Sequence, residues 1–143
     1  MQAAIDSKIT DAEWEVMRVI WTNQPITSKF ISEVLVDKMN WKPATIKTLI
    51  GRLVEKGFVS TEQEGNRYLY SATKTESESI HKMTKEVIDH VCATKVGSVL
   101  ADLIEQSLLS KDDVKRLEEV IQSKKADAVE AVPCNCLPGQ CDC

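Results

Sequence analysis

Helical spacing of apolar residues holds as far as Gly57 and gives way immediately afterwards to a period of two, which confines the first half of the chain to helices followed by a hairpin. The last of those helices is sharply bounded, with Pro43 at its first turn and Gly57 just past its end. Ile46, Leu49, Ile50, Leu53 and Val54 share one side of it. At 100° per residue, Ala44, Thr45, Lys47, Thr48, Gly51 and Arg52 fall on the other, all small or polar. Beyond Gly57, Phe58-Val59-Ser60-Thr61 and Arg67-Tyr68-Leu69-Tyr70 flank a turn at Glu64-Gly65-Asn66, the pattern of a hairpin with Gly-Asn at its tip.

Two helices precede that pair of elements. Thr10 and Glu13 have capping-box spacing, so the first helix starts at Thr10 and carries Trp14, Met17, Ile20 and Trp21 at helical intervals. Asn23, Gln24 and Pro25 interrupt it. Thr27 or Ser28 then caps a second helix, whose stripe Phe30, Ile31, Val34 and Leu35 is expected to face a core. Three helices and a hairpin predict a winged helix-turn-helix over residues 1–72, with the third helix presented outward. The three tryptophans stand at helical spacing or just before a helix start, where packing corners are expected and base stacking is not.

Residues 73–124 read as helices alone. Ile80, Met83, Val87, Ile88 and Val91 form one stripe, Val96, Val99, Leu100, Leu103 and Ile104 another, and a last helix begins at Ser110 with Asp113 and carries Val114, Leu117, Val120 and Ile121. A segment of that length buries too little surface to be stable by itself, so it is expected to pair with a second copy as a two-fold homodimer. From residue 125 to 143 periodicity is lost, and the reading is a tether followed by a cysteine-rich tail. The fold class is therefore mainly α with a small β-hairpin: an N-terminal winged helix, a helical dimerisation segment and an irregular metal-binding tail.

The net charge of −4 argues against indiscriminate affinity for nucleic acid, which depends on Lys and Arg neutralising phosphates. Basic residues are nonetheless concentrated at Lys38, Lys42, Lys47, Arg52 and Lys56, against Glu55 alone in that stretch. The outer face of the third helix suits the major groove of double-stranded DNA. Thr45 and Thr48 can meet thymine methyls or base edges, Lys42 lies at the end that points inward, and Lys47 and Arg52 flank it where phosphates run. Arg67, on the hairpin, is placed for the backbone or minor groove.

Four of five cysteines fall in Cys134-Asn135-Cys136-Leu137-Pro138-Gly139-Gln140-Cys141-Asp142-Cys143. Residues two apart in an extended chain point to the same side, and Pro138-Gly139 can turn the chain so that both pairs converge. Four thiolates satisfy tetrahedral Zn(II), and soft sulfur also suits Cu(I), which accepts two or three thiolates and allows sulfurs to bridge ions. Cys92 lies among Ile88, Val91 and Val96 and is expected as a buried apolar group. His81 and His90 do not share a helical face neatly and are expected as ordinary surface or core residues. Nothing resembles a nucleophile elbow, a phosphate loop or a paired-carboxylate site, so no enzyme is expected. The first residues show neither a basic n-region nor an apolar h-region, and no apolar run is long enough to span a bilayer; a cytoplasmic chain without membrane contact is expected.

The strings from Thr10 to Trp21 and from Trp41 through Lys42-Pro43-Ala44-Thr45-Ile46-Lys47-Thr48 to Leu49, with Arg52-Leu53 and Lys56-Gly57, resemble the BlaI/MecI repressors. With the Cys-x-Cys-x4-Cys-x-Cys tail the chain looks like the copper-responsive CopY branch of that family. The resemblance implies a dimeric repressor of copper-export genes that binds a pseudo-palindromic operator in its Zn(II) form. It leaves when Cu(I), donated by a copper chaperone, replaces zinc on Cys134, Cys136, Cys141 and Cys143. It also places DNA contacts at Lys42, Ala44, Thr45, Lys47, Thr48, Arg52 and Arg67. Penicillinase-type repressors are inactivated by cleavage at an Asn-Phe pair; this chain has Asp102-Leu103 there, so proteolytic induction is not expected. Two rivals remain: a copper or zinc buffer or chaperone, which leaves the third helix's outer face without a role, and a repressor that senses oxidation through its thiols.

Overall fold

The computed structural model describes residues 8–142. These fall into two compact units divided between Lys82 and Met83. The first holds helix α1 (Asp11–Asn23), strand β1 (Ile26–Thr27), helices α2 (Ser28–Met39) and α3 (Pro43–Glu55), and strands β2 (Val59–Glu64) and β3 (Arg67–Ala72). Helix α4 (Glu76–Asp89) leads into the second, which continues through a 3-10 turn (Ala93–Lys95) to α5 (Val96–Gln106), α6 (Lys111–Lys124) and the tail.

Helix α1 begins as its sequence requires. The Thr10 hydroxyl accepts from the Glu13 amide at 3.2 Å and the Glu13 carboxylate accepts from the Thr10 amide at 3.0 Å, so two amides that the first turn leaves unpaired are satisfied together. Thr27 caps α2 through the Phe30 amide, and Asn40, in the left-handed region at φ 57°, closes it. Pro43 occupies the first turn of α3, and Gly57 at φ 85° takes the chain out of it, a conformation that costs a residue with a Cβ.

The core of this unit is formed by Val16, Met17, Val19 and Ile20 of α1, Ile31 and Leu35 of α2, and Ile46, Leu49, Ile50 and Leu53 of α3, closed by Ile26 and Val59. Each such side chain contributes about 1.5–3 kcal/mol on burial. Phe30 departs from the expected stripe: it is 40% exposed, because α2 turns the i, i+4 pair Ile31 and Leu35 onto the core and carries Phe30 out past its edge. Trp14 and Trp21 pack edge to face with ring centroids 5.4 Å apart, and the Trp21 indole donates to the Lys74 carbonyl at 3.0 Å. They are packing corners, as expected.

Strands β2 and β3 pair in antiparallel register from Val59–Ala72 to Glu64–Arg67, turning at Gly65-Asn66 with Gly65 at φ 63°. A third strand joins them, since β1 pairs with β3 through Ile26–Tyr70 and Thr27–Leu69. Two residues after a proline carry too little alternation to announce a strand, so this addition comes from tertiary pairing. The architecture is a winged helix.

In the second unit every helix is amphipathic and no described residue is fully buried. Ser110 caps α6 with Asp113 in a second capping box. Leu100, Leu103 and Ile104 of α5 and Val114, Val120 and Ile121 of α6 remain more than two-fifths exposed. No helix among the described residues is long and apolar enough to cross a membrane.

Candidate nucleic-acid interface and thiol cluster

Burying Ile46, Leu49, Ile50 and Leu53 leaves the opposite side of α3 outward. Lys42, Ala44, Thr45, Lys47, Thr48 and Arg52 are all exposed there, as is Arg67 on the wing. Gly51 lies on the same side, and a Cβ added to it would meet nothing within 4 Å. The face is thus low and open, able to approach a groove closely. Thr48 Oγ1 donates to the Ala44 carbonyl at 3.0 Å, so its proton is spent within the helix. To an outside partner Thr48 offers acceptor lone pairs and a methyl group, chemistry suited to an amino group or a thymine methyl at a base edge.

Arg67 is already engaged. Its Nη2 lies 2.7 Å from Glu64 Oε1, the residue directly opposite it in the hairpin, with side chains 63% and 57% exposed. An exposed pair of this kind is worth about 0–1 kcal/mol, little enough for a phosphate to displace the carboxylate. A second ion pair has a structural role. The fully buried Glu13 carboxylate accepts from Lys56 Nζ at 2.7 and 3.0 Å, and Lys56 also donates to the Lys8 carbonyl at 2.9 Å, tying the start of α1 to the end of α3. Burial works against the ionised carboxylate, but the Lys56 ammonium and the Thr10 amide outweigh it and hold Glu13 below the ordinary glutamate range.

The second unit gathers sulfur. The Sγ atoms of Cys92, Cys134, Cys136 and Cys141 all lie within 4.8 Å of one another, with Cys92 3.7 Å from Cys134 and 3.8 Å from Cys141. The tail turns as its sequence indicates: the Gln140 amide donates to the Leu137 carbonyl at 2.9 Å across Pro138 and Gly139, with Gly139 at φ 75°. This brings Cys141 back beside the first pair. Cys143 lies outside the described residues.

Cys92 is not the buried helical residue expected. Helix α4 ends at Asp89, and Cys92 sits in the link before the 3-10 turn, half-buried and outside helical conformation at φ −54° and ψ 135°. The hydrogen bond from Thr94 lowers its thiol to a pKa of about 7, aided by the neighbouring sulfurs. Cys136 moves the other way, to about 11, because Cys92 and Cys134 bond to it and their negative charge opposes another thiolate nearby. No local signal marks Cys92 for this place, since its nearest tail partner is 42 residues away. His81 and His90 are exposed and lie outside the cluster; His90 Nδ1 bonds to the Glu86 carbonyl at 2.6 Å.

The sulfur spacing fits a metal. An ion 2.3 Å from four thiolates at the corners of a tetrahedron sets the sulfurs about 3.8 Å apart, and the two sulfur–sulfur distances from Cys92 are 3.7 and 3.8 Å. Cys141 is in a disulfide in this structure, so its sulfur becomes a ligand only after reduction.

The sequence profile described as penicillinase repressor matches residues 9–123. The chain belongs to the penicillinase repressor family. It is 32% identical over 117 residues to the methicillin resistance regulatory protein MecI of Mammaliicoccus sciuri, covering 82% of this chain and 95% of that one. A protein of Latilactobacillus sakei described as an uncharacterized 16.5 kDa protein in the ptsI 3' region is 45% identical over 137 residues, 96% of this chain and 94% of that one. A solution structure of the Bacillus licheniformis BlaI monomeric form in complex with the blaP half-operator is 36% identical, covers 50% of this chain and 88% of that chain, and superposes with a TM-score of 0.46. As a BlaI/MecI-family repressor the protein is a transcriptional regulator and not an enzyme. The family match stops short of the cysteine tail. The likeness to the Latilactobacillus sakei protein, which leaves out only 4% of this chain, reaches into it.

Proposed function

We propose that this BlaI/MecI-family repressor binds a pseudo-palindromic operator as a cytoplasmic homodimer while its tail thiolates hold Zn(II), and that it leaves the operator when those thiolates take Cu(I) instead, releasing copper-homeostasis genes. The observation that carries the metal half of this reading is the sulfur cluster, in which four sulfurs lie within 4.8 Å of one another and the two spacings from Cys92 are near those a tetrahedral thiolate site would need. The DNA half rests on the open outer face of α3, on the basic residues beside it, and on membership of the penicillinase repressor family. Zinc supplies four-coordinate crosslinking of the tail, and copper a different coordination number and net charge on the same sulfurs.

The tail's own residues do the rest. Pro138-Gly139 returns Cys141 to Cys134 and Cys136, and the Cys136 amide donates to Cys134 Sγ at 3.3 Å. For release to follow, the DNA-binding conformation must be favoured by one ion over the other, because an ion bound equally by both states shifts nothing. Copper handed over by a chaperone would enter through the exposed Cys134.

The deciding experiment is operator binding by reduced protein in Zn(II), Cu(I) and metal-free forms. Tight binding with zinc and release with copper is expected. Cys141→Ser with Cys143→Ser, outside the winged-helix core, is expected to keep the fold and lose copper-dependent release. Equal affinity in all three forms would sink the metal-responsive reading, and equal affinity for random and operator duplexes would favour a metal buffer. The disulfide at Cys141 favours one second reading, a thiol-redox repressor. That reading predicts release by mild oxidant alone, with mass spectrometry showing the loss of two hydrogen atoms per disulfide formed, their two electrons passing to the oxidant.

A further inference from the structure

We infer that Cys92 is itself a metal ligand, joining Cys134, Cys136 and Cys141 in a thiolate site that fastens the tail to the link between α4 and α5. The inference rests on the reading that the tail holds a thiophilic ion, and it adds where that ion takes hold of the rest of the protein.

Neither burial nor hydrogen bonding between thiols accounts for the packing of the sulfurs. Cys134 is exposed and the other three are half-buried, so hydrophobic burial, which accounts for most cysteines away from solvent, does not explain four sulfurs within 4.8 Å of one another. Thiols are weak donors and acceptors and gain little from each other's company. A shared cation removes this difficulty, because each thiolate then faces a positive centre.

An independent contact joins the same two segments. The Ala93 amide, next to Cys92, donates to Asn135 Oδ1 at 2.9 Å, and Asn135 is the residue between the first pair of tail cysteines. Cys92 and the tail are thus brought together by a bond that involves no sulfur. Thr94 Oγ1 lies 3.1 Å from Cys92 Sγ and bonds to it.

The placement gives the metal something to act on. An ion held by tail cysteines alone would order a terminal tail and nothing else. With Cys92 in its shell the ion crosslinks residues 42 apart and grips the turn that starts α5, whose Leu100, Leu103 and Ile104 form an uncovered apolar stripe. A change in coordination number at this site is thereby felt at the start of α5. Loading requires the reduced protein: a phosphine and one water convert the disulfide at Cys141 to two thiols and the phosphine to its oxide, and each thiol that ligates then gives its proton to solvent.

The test uses the full chain, reduced with a phosphine and kept anaerobic, with Co(II) as the spectroscopic probe and Zn(II) as competitor. Wild-type protein is expected to show the intense sulfur-to-cobalt charge transfer of a tetrahedral thiolate site. Cys92→Ser is expected to lose about one quarter of that intensity and to bind Zn(II) about tenfold or more weakly. A second measurement needs no variant: Zn(II) should slow amide hydrogen exchange at residues 93–96 of the wild-type protein. A Cys92→Ser spectrum and affinity equal to wild type, or no slowing at 93–96, would overturn the role of Cys92 and leave tail binding intact. If Cys134→Ser also matched wild type, the metal reading of the tail would fall with it.

Discussion

Among the described residues Glu13 is the one charged side chain buried in the winged-helix core, and its carboxylate is compensated by Lys56 and by the Thr10 amide. Removing the cation strands a buried charge, which costs about 3–5 kcal/mol, whereas removing the carboxylate leaves a partly exposed lysine that water can solvate. Lys56→Met is therefore expected to destabilise more than Glu13→Gln at neutral pH, measured by urea unfolding. Because Glu13 titrates below its ordinary value when folded, the unfolded chain binds its proton more readily. The stabilisation is full above the unfolded pKa and is lost as the pH falls through the folded one. The gap between the two variants should narrow below about pH 4.5; a gap that widens there would show that the pair is not what Lys56 contributes. The Glu64–Arg67 pair allows a second prediction at this scale. Arg67→Ala should weaken all duplexes about equally and flatten the salt dependence by about one charge. Glu64→Gln should strengthen binding if the wing meets the backbone as proposed, since it releases Arg67 and removes a negative charge beside it. Weaker binding of Glu64→Gln in a mobility-shift titration would place the wing away from DNA.

At the scale of one element, α3 has two faces with separate duties. Its buried face of Ile46, Leu49, Ile50 and Leu53 anchors it on α1 and α2, so substitutions on the outer face change binding without changing the core. Thr48→Ala removes an acceptor and a methyl, and Lys42→Ala removes a charge at the end of the helix proposed to enter a groove. Both are expected to narrow the preference for operator over random duplex by about 1–3 kcal/mol each while thermal stability is little changed. Competition binding decides this; a uniform loss across sequences would mean that they touch only the phosphate backbone. The tail is the contrasting element, with a turn built by Pro138 and Gly139 and no buried residue among those described.

For the whole molecule, the exposed stripes of α5 and α6 are the main energetic imbalance in a single chain. Helices of this length are marginal alone, and their apolar faces need covering. A second copy covers them in the proposed dimer. Leu103→Glu with Ile104→Glu is expected to give a monomer in analytical ultracentrifugation, with its winged helix still folded and operator affinity reduced about a hundredfold by loss of the linked second half-site. A dimer that survives both charges would move the interface off α5.

The starts of α1 and α6 with their capping boxes, the limits of α3, the hairpin turn and the outward face of α3 were legible in the chain because each depends on neighbours within a few residues: Thr10 with Glu13, Ser110 with Asp113, Gly65 at the hairpin tip, and a 3.6-residue period that separates Ile46 and Leu49 from Thr45 and Thr48. The cysteine tail was legible for the same reason, its pairs and its Pro-Gly turn lying within ten residues. Strand β1, the exposure of Phe30, the Glu13–Lys56 pair and the arrival of Cys92 among the tail sulfurs were decided only in three dimensions. Each joins or separates residues distant in sequence, and local periodicity contains no term for a partner 42 or 43 positions away.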